Sequence, residues 1–235
     1  MSSNSETSYG ARIGNAEKLV AALQNFNNYQ PIKPEYSITA YNDFITNLKT
    51  QNNTVASKKQ NYSLAVENRK QIFETGNASI NKLLSPINGA VKVIYGRTGK
   101  EATDVATIIA KIRGANIKNK TTTNPDEDTV SQSYQSYNAR AQYFSDLIVN
   151  LTNFGTNYDP ANPAIKLTDL NTLYTSAITA NSQVMDTFTQ FSQNNNTRID
   201  GYYTLSQTAI RIKDSVKAQY GNSSTEYSLI KGLKI

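Results

Sequence analysis

Among the residues whose types and spacing could do chemistry, the run Gly96-Arg97-Thr98-Gly99-Lys100 comes nearest to a phosphate-binding loop. Such a loop needs a glycine five residues before its Gly-Lys pair and a Ser or Thr after the lysine. Backbone N–H groups and a hydroxyl can then cradle phosphate and its metal. Those positions hold Ile94 and Glu101, and a helical pattern leads in where a strand is required. The run reads instead as a helix end followed by a helix start.

The 235 residues include no cysteine, histidine or tryptophan. Zinc sites of the Cys/His kind, Cys and Ser–His nucleophiles, disulfides and histidine-ligated haem are excluded on that ground. A carboxylate-bridged metal site in a bundle needs inward Glu residues and Glu-x-x-His, and the acidic residues do not fall on the apolar stripes traced below. Asp126-Glu127-Asp128 lacks the alternating oxygen ligands and central glycine of a calcium loop. No carboxylate pair is singled out for acid–base work. The chain is read as non-enzymatic, with no cofactor, no metal and no evident small-molecule substrate.

What remains is charge. Lys and Arg outnumber Asp and Glu by 24 to 18, a net +6, and residues 1–114 hold 14 basic against 8 acidic side chains, the whole surplus. A local excess attracts phosphate or an anionic membrane without specifying a fold. Lys58, Lys59, Lys70, Lys82, Arg97, Lys100, Lys111 and Arg113 make up the candidate face for an anionic partner. Arg69 and Lys92 are set apart, because they have counterparts in Arg198 and Lys217, and a feature present in both halves reads as structural.

Asn, Ser and Thr supply about 31% of the chain, while charged residues are 18%. With 15 Tyr and 7 Phe the composition is that of a folded protein with a polar, weakly charged surface. The tyrosines are expected at helix ends, rings inward and hydroxyls wet. Met1-Ser2-Ser3-Asn4-Ser5-Glu6 has no apolar core of a signal peptide, and no run approaches the roughly 18 apolar residues of a membrane span. The default expectation is a cytoplasmic protein; signal-independent export leaves no mark in a sequence.

The elements that position these residues come in two matched rows. Tyr29-Gln-Pro31-Ile-Lys-Pro34 recurs as Tyr158-Asp-Pro160-Ala-Asn-Pro163, an offset of 129. At 128, Tyr9, Ala11, Arg12, Leu19, Leu23 and Phe26 match Tyr137, Ala139, Arg140, Leu147, Leu151 and Phe154. At 125, Gly76, Ile87, Val91, Lys92, Tyr95 and Gly96 match Gly201, Ile212, Val216, Lys217, Tyr220 and Gly221. Two copies, 5–114 and 133–235, are joined by a polar linker, 115–132.

Ile13, Ala16, Val20 and Leu23, like Ala141, Phe144, Ile148 and Leu151, recur at three- and four-residue spacing and predict an amphipathic helix of 17–20 residues. Three–four spacing then continues from Leu170 through Ala177, Asn181, Val184, Arg198, Tyr202, Leu205 and Ile212 to Val216, and from Tyr41 through Leu48, Val55, Ile80, Leu84 and Val91 to Ile94. Copy 1 carries four extra residues near Phe73–Gly76, a stutter that one continuous helix can absorb. A long helix of about 80 Å is therefore predicted in each copy, with Gly76, Gly201 and Ser85-Pro86 as the places for a bend. Gly96 and Gly221 end the long helices. Thr98–Glu101 and Ser223–Glu226 read as capping boxes before a short final helix.

The predicted fold is all-α: short, long and short helices in each copy, the two packed as one elongated bundle with approximate two-fold symmetry. The function expected is that of a structural or interaction protein, a rod-like scaffold or assembly subunit acting through a protein partner or self-assembly. One alternative is peripheral binding of an anionic membrane or nucleic acid through copy 1. A helical pore-forming toxin component ranks behind it, since no apolar hairpin is present.

Overall fold

The first amphipathic stripe does form a helix: α1 (Tyr9–Asn25) buries Ile13, Ala16, Leu19, Val20 and Leu23, and Ser8 Oγ caps it by accepting the Ala11 N–H at 3.2 Å. The computed structural model describes residues 8–114 and 129–235, for 129–136 the backbone alone. The protein is mostly helical, and the described residues contain no strand. The other helices are α2 (Ile38–Lys70), α3 (Ile80–Tyr95), α4 (Lys100–Ile112), α5 (Thr129–Asn153), α6 (Leu167–Tyr220) and α7 (Thr225–Ile230). Helix α5 begins inside the segment read as linker, whose remainder, 115–128, lies outside the described residues.

After α1 and after α5 the Tyr-x-Pro-x-x-Pro loop turns the chain. Pro34 and Pro163 each open a single 3₁₀ turn, a first-turn position where a missing N–H breaks no bond. The Tyr29 hydroxyl donates to the Tyr36 carbonyl at 3.1 Å, and the Tyr158 hydroxyl to the Ile165 carbonyl at 2.9 Å. The expectation of wet hydroxyls is corrected here, because each ties its loop to a carbonyl seven residues on. Burial pushes the Tyr158 hydroxyl up to about 12.

The two long stripes behave differently. Helix α6 is continuous over 54 residues, as expected. In the first half, the continuous helix is contradicted: α2 stops at Lys70, Gln71–Thr75 form one wide π turn, and α3 starts at Ile80. The four extra residues are not absorbed by unwinding. The Gly76 N–H reaches back to the Gln71 carbonyl at 2.9 Å, the chain leaves the helix at ψ 154°, and Ser79 Oγ closes the turn on the Glu74 carbonyl at 2.9 Å. A Cβ on Gly76 would lie 2.6 Å from that Gln71 oxygen. The matched Gly201 sits inside α6 for another reason: a Cβ there would meet Leu48 Cδ2 at 2.6 Å. Pro86, a candidate break, lies within α3 without ending it.

Gly96 and Gly221 take left-handed φ of 80° and 100° and end α3 and α6 as predicted. The capping boxes are corrected. Helix α4 is preceded by Gly99 with no side-chain cap, and α7 is capped by Ser224, whose Oγ accepts the Tyr227 N–H at 3.1 Å. The extended residue before each helix is one later than the boxes assume, so neither Thr98 nor Ser223 occupies the cap.

The chain divides into two compact units, each drawing on both sequence rows. The first, within 1–60 and 189–235, packs Leu19, Leu23, Tyr41, Leu48, Leu205, Ile212 and Ile230 around α1, α6 and α7. The second, within 61–188, packs Phe73, Ile80, Leu84, Val105, Ile112, Phe144 and Leu170 around α3, α4 and α5. Ile94, expected on the seam, is 38% exposed, whereas Ile45 and Phe73, absent from the expected seam, are buried. The polar seam member Asn181 is buried too, its amide donating to Asn138 Oδ1 at 2.9 Å.

Candidate functional site

Each unit contains a cluster of two arginines and two aromatic rings. In the first unit Tyr9 of α1 stacks on Tyr202 of α6 with ring centroids 4.2 Å apart. The Arg12 guanidinium lies 5.0 Å from the Tyr202 ring and Arg198 lies 4.6 Å from Tyr9. Arg12 Nη2 donates to the Tyr202 carbonyl at 2.6 Å and to Ser206 Oγ at 2.7 Å, while Arg198 donates to Asn195 Oδ1 at 2.6 Å. The Tyr202 hydroxyl accepts from the Asn52 amide at 2.7 Å.

In the second unit Phe73, in the π turn, meets Tyr137 of α5 edge to face at 4.9 Å. Arg140 lies 5.4 Å from the Phe73 ring and donates to the Phe73 carbonyl at 3.3 Å, and Arg69 lies 4.2 Å from Tyr137. Positions 9, 12, 198 and 202 thus find their partners as positions 137, 140, 69 and 73 do, at sequence offsets of 128 or 129. A guanidinium suits this place because it is flat, weakly hydrated, and lies on a ring face while donating sideways to carbonyls.

The two clusters differ in their counter-charge. In the second unit Glu74 accepts from Arg140 at 2.7 Å and from the Tyr137 hydroxyl at 3.1 Å. Burial, then the Glu74 charge and hydrogen bond, push the Tyr137 hydroxyl up, with Arg140 and Arg69 opposing. At the offset of 129 the position of Glu74 is taken by Tyr203, which is 67% exposed. Among the described residues Arg12 has no carboxylate partner.

Beside Arg12 the first unit opens a cleft of about 420 Å³ lined by Arg12, Ser206, Ala209, Ile210, Lys213 and residues 233–235. Lys213 Nζ donates to the Leu233 carbonyl, and burial lowers its pKa. Ser206 Oγ donates at 2.5 Å to a main-chain oxygen of Ile235, the last residue of the sequence. The sequence singles out neither cation: Arg12 recurs as Arg140 and so reads as structural, and Lys213 lies in the row without a charge surplus. One signal was present: Lys213 follows the seam residue Ile212 where the first row has Asn88 after Ile87.

The candidate anionic-partner face is divided. Lys58 and Lys59 belong to the first unit, the other six to the second. Lys58 donates to Gln190 Oε1 at 2.8 Å. Lys100 pairs with Asp104 at 2.7 Å, which raises its pKa, and exposed Arg97 precedes it at the start of α4. Arg113 donates to Ser85 Oγ at 2.8 Å and Lys111 lies 5.7 Å from the Tyr143 ring, both at the other end of α4. Lys82 donates to the Thr75 carbonyl at 3.0 Å. Lys59 and Lys70 are exposed on α2.

No helix among the described residues is long and apolar enough to cross a membrane, and they hold no group of three or more metal-ligating side chains. Comparison with protein-family models, curated proteins and solved structures finds no match to this chain.

Proposed function

We propose that the protein is a non-enzymatic helical scaffold, built by tandem duplication, that works through assembly. The observation that carries this reading is the twice-made arginine–aromatic cluster. Charged groups that could do chemistry are used in packing: Arg69 is 2% exposed, and Arg140, with a side chain 13% exposed, is held by a ring, a carbonyl and Glu74 together. The duplication reading is supported by the paired partners at offsets of 128 and 129 and by the two tyrosine-tied proline loops. Sedimentation velocity over about a hundredfold range of concentration, with crosslinking mass spectrometry, tests the function. Concentration-dependent association with crosslinks between copies is expected. A species that stays monomeric throughout, with crosslinks only within one chain, overturns the assembly reading.

The alternative, peripheral binding of an anionic membrane or nucleic acid through Lys58, Lys59, Lys70, Lys82, Arg97, Lys100, Lys111 and Arg113, has less support because several of these cations already have partners in the fold. Co-sedimentation with anionic vesicles or DNA across a salt series separates the two, since binding of this kind weakens as salt rises.

A further inference from the structure

We propose that two copies of the chain join by exchanging residues 222–235, so that α7 and the segment after it lie against α1 and α6 of the other copy. On the assembly reading above, this exchange is the interface between copies. Residues 231–235 lie between α1 and α6 and are held through their main chain. The Leu233 carbonyl accepts from Lys213 of α6, and the Lys234 carbonyl accepts from the Asn15 amide of α1 at 2.8 Å. Ser206 of α6 donates at 2.5 Å to a main-chain oxygen of Ile235. Leu233 and Ile235 pack, partly buried, against the core of this unit. Three donors from two helices thus hold three consecutive residues, a seat that the same segment of a second copy fills bond for bond.

The matched place in the second unit shows why this segment exchanges and its counterpart does not. After Gly96 the first row builds α4, 13 residues that bury Ala102, Val105, Ile109 and Ile112. After Gly221 the second row builds α7, six residues that bury Ile230 alone. Each buried apolar side chain adds to the hold on its helix, so α7 leaves its place at less cost than α4. Clefts of about 420 Å³ and 460 Å³ open beside residues 232–235, so the fold does not seal the segment over. Its main-chain bonds return unchanged when a second copy supplies the donors. The hinge is short: Gly221-Asn222-Ser223-Ser224 join α6 to α7, and the chain turns there through Gly221 at φ 100°. Opening that left-handed turn releases α7 and residues 231–235 together, and a short hinge of this kind favours exchange between copies.

The chain has no cysteine, so single thiols can be placed where the test needs them. Asn15→Cys and Lys234→Cys are made in separate full chains, unfolded together in urea, refolded as a mixture and treated with a short bismaleimide. A linked dimer on a denaturing gel is expected from the mixture and from neither variant alone. The double variant, Asn15→Cys with Lys234→Cys, should link both within and between chains. Gly221→Ala strains the closed turn, because a side chain is disfavoured at φ 100°, and should tighten dimerisation at least about tenfold in sedimentation velocity. Circular dichroism confirms that each variant is folded. An unlinked mixture, equal dimer yield from either single variant alone, or unchanged dimerisation in Gly221→Ala would overturn the proposal. Where the parent chain associates and the mixture stays unlinked, the exchange fails and the scaffold reading stands. A parent chain that stays monomeric throughout overturns the scaffold reading itself.

Discussion

Replacing Phe73 by Leu tests whether the arginine–aromatic cluster holds its unit together. Phe73 is fully buried, 4.9 Å from the Tyr137 ring and 5.4 Å from the Arg140 guanidinium. Leucine keeps most of the apolar volume and loses both ring contacts. The edge-to-face pair contributes about 0.5–1.5 kcal/mol, and the cation over the ring about 0.5–2 kcal/mol at a desolvated site. Imperfect refilling of the space adds about 1 kcal/mol. The expected loss is about 2–4 kcal/mol, a large share of the roughly 5–15 kcal/mol that stabilises a domain. Tyr202→Phe in the other unit keeps the ring over which Arg12 lies and removes only the hydroxyl, which accepts from the Asn52 amide at 2.7 Å and donates to the Tyr9 carbonyl at 3.4 Å, the longer and weaker of the two bonds. It should cost about 1 kcal/mol. Urea unfolding followed by far-ultraviolet circular dichroism measures both, with an unchanged m-value showing that the change lies in stability. The reasoning is refuted if Phe73→Leu stays within about 0.5 kcal/mol of the parent, or if Tyr202→Phe is the more damaging of the two.

Glu74→Gln should cost only about 1–2 kcal/mol in the same assay, because the sister cluster stands without a carboxylate and the Glu74 side chain is 35% exposed. Gly76→Ala should lose about 2 kcal/mol or more, since the atom in its way is a backbone oxygen. Gly201→Ala gains about 1 kcal/mol of helix propensity against about 1–3 kcal/mol of overpacking on buried Leu48; thermal melts should rank it the milder change. Burial raises the hydroxyl pKa of Tyr29, Tyr41, Tyr137 and Tyr158 in the folded state. Their contribution is complete below the unfolded value of about 10 and is lost as pH rises toward about 12, so unfolding free energy should fall across that window. Lys213 has the opposite sign: its lowered pKa penalises the folded state at low pH and the penalty is relieved as pH rises toward the ordinary lysine value, so Lys213→Met should flatten a small alkaline gain that precedes the tyrosine loss.

Much of the helix plan was legible because it rests on local patterns. The stripes of α1 and α5, the glycine ends of α3 and α6 and the proline loops each follow from spacing within a few residues. The break between α2 and α3 was not, because a four-residue surplus is compatible with either an unwound helix or a π turn. What decides between them is a tertiary fact: Arg140 draws the Phe73 carbonyl sideways at 3.3 Å and the Glu74 carboxylate at 2.7 Å, both in the turn itself. Periodicity places Ile94 on the seam, yet the helix ends one residue later and leaves it 38% exposed. The cleft was illegible for a related reason. Arg12, Ser206 and Lys213 are up to about 200 positions apart in the chain, and only the packing of α1 against α6 brings them to one cleft.

The match between rows also explains why differences within the clusters carry more information than their shared parts. On the proposed duplication, neither row holds a complete cluster: Tyr9 and Arg12 from the first meet Arg198 and Tyr202 from the second, and Arg69 and Phe73 from the first meet Tyr137 and Arg140 from the second. Within each cluster, cations from one row lie on rings from the other, so the exchange constrains all eight positions. Just outside those eight the rows differ, as in Glu74 against Tyr203 and Asn88 against Lys213, while both clusters keep two arginines on two rings. Such positions can diverge without loss of fold. It is at these positions, not at the shared arginines, that the two clusters differ in charge: Glu74 holds Arg140, while Tyr203 takes the matched place beside Arg12.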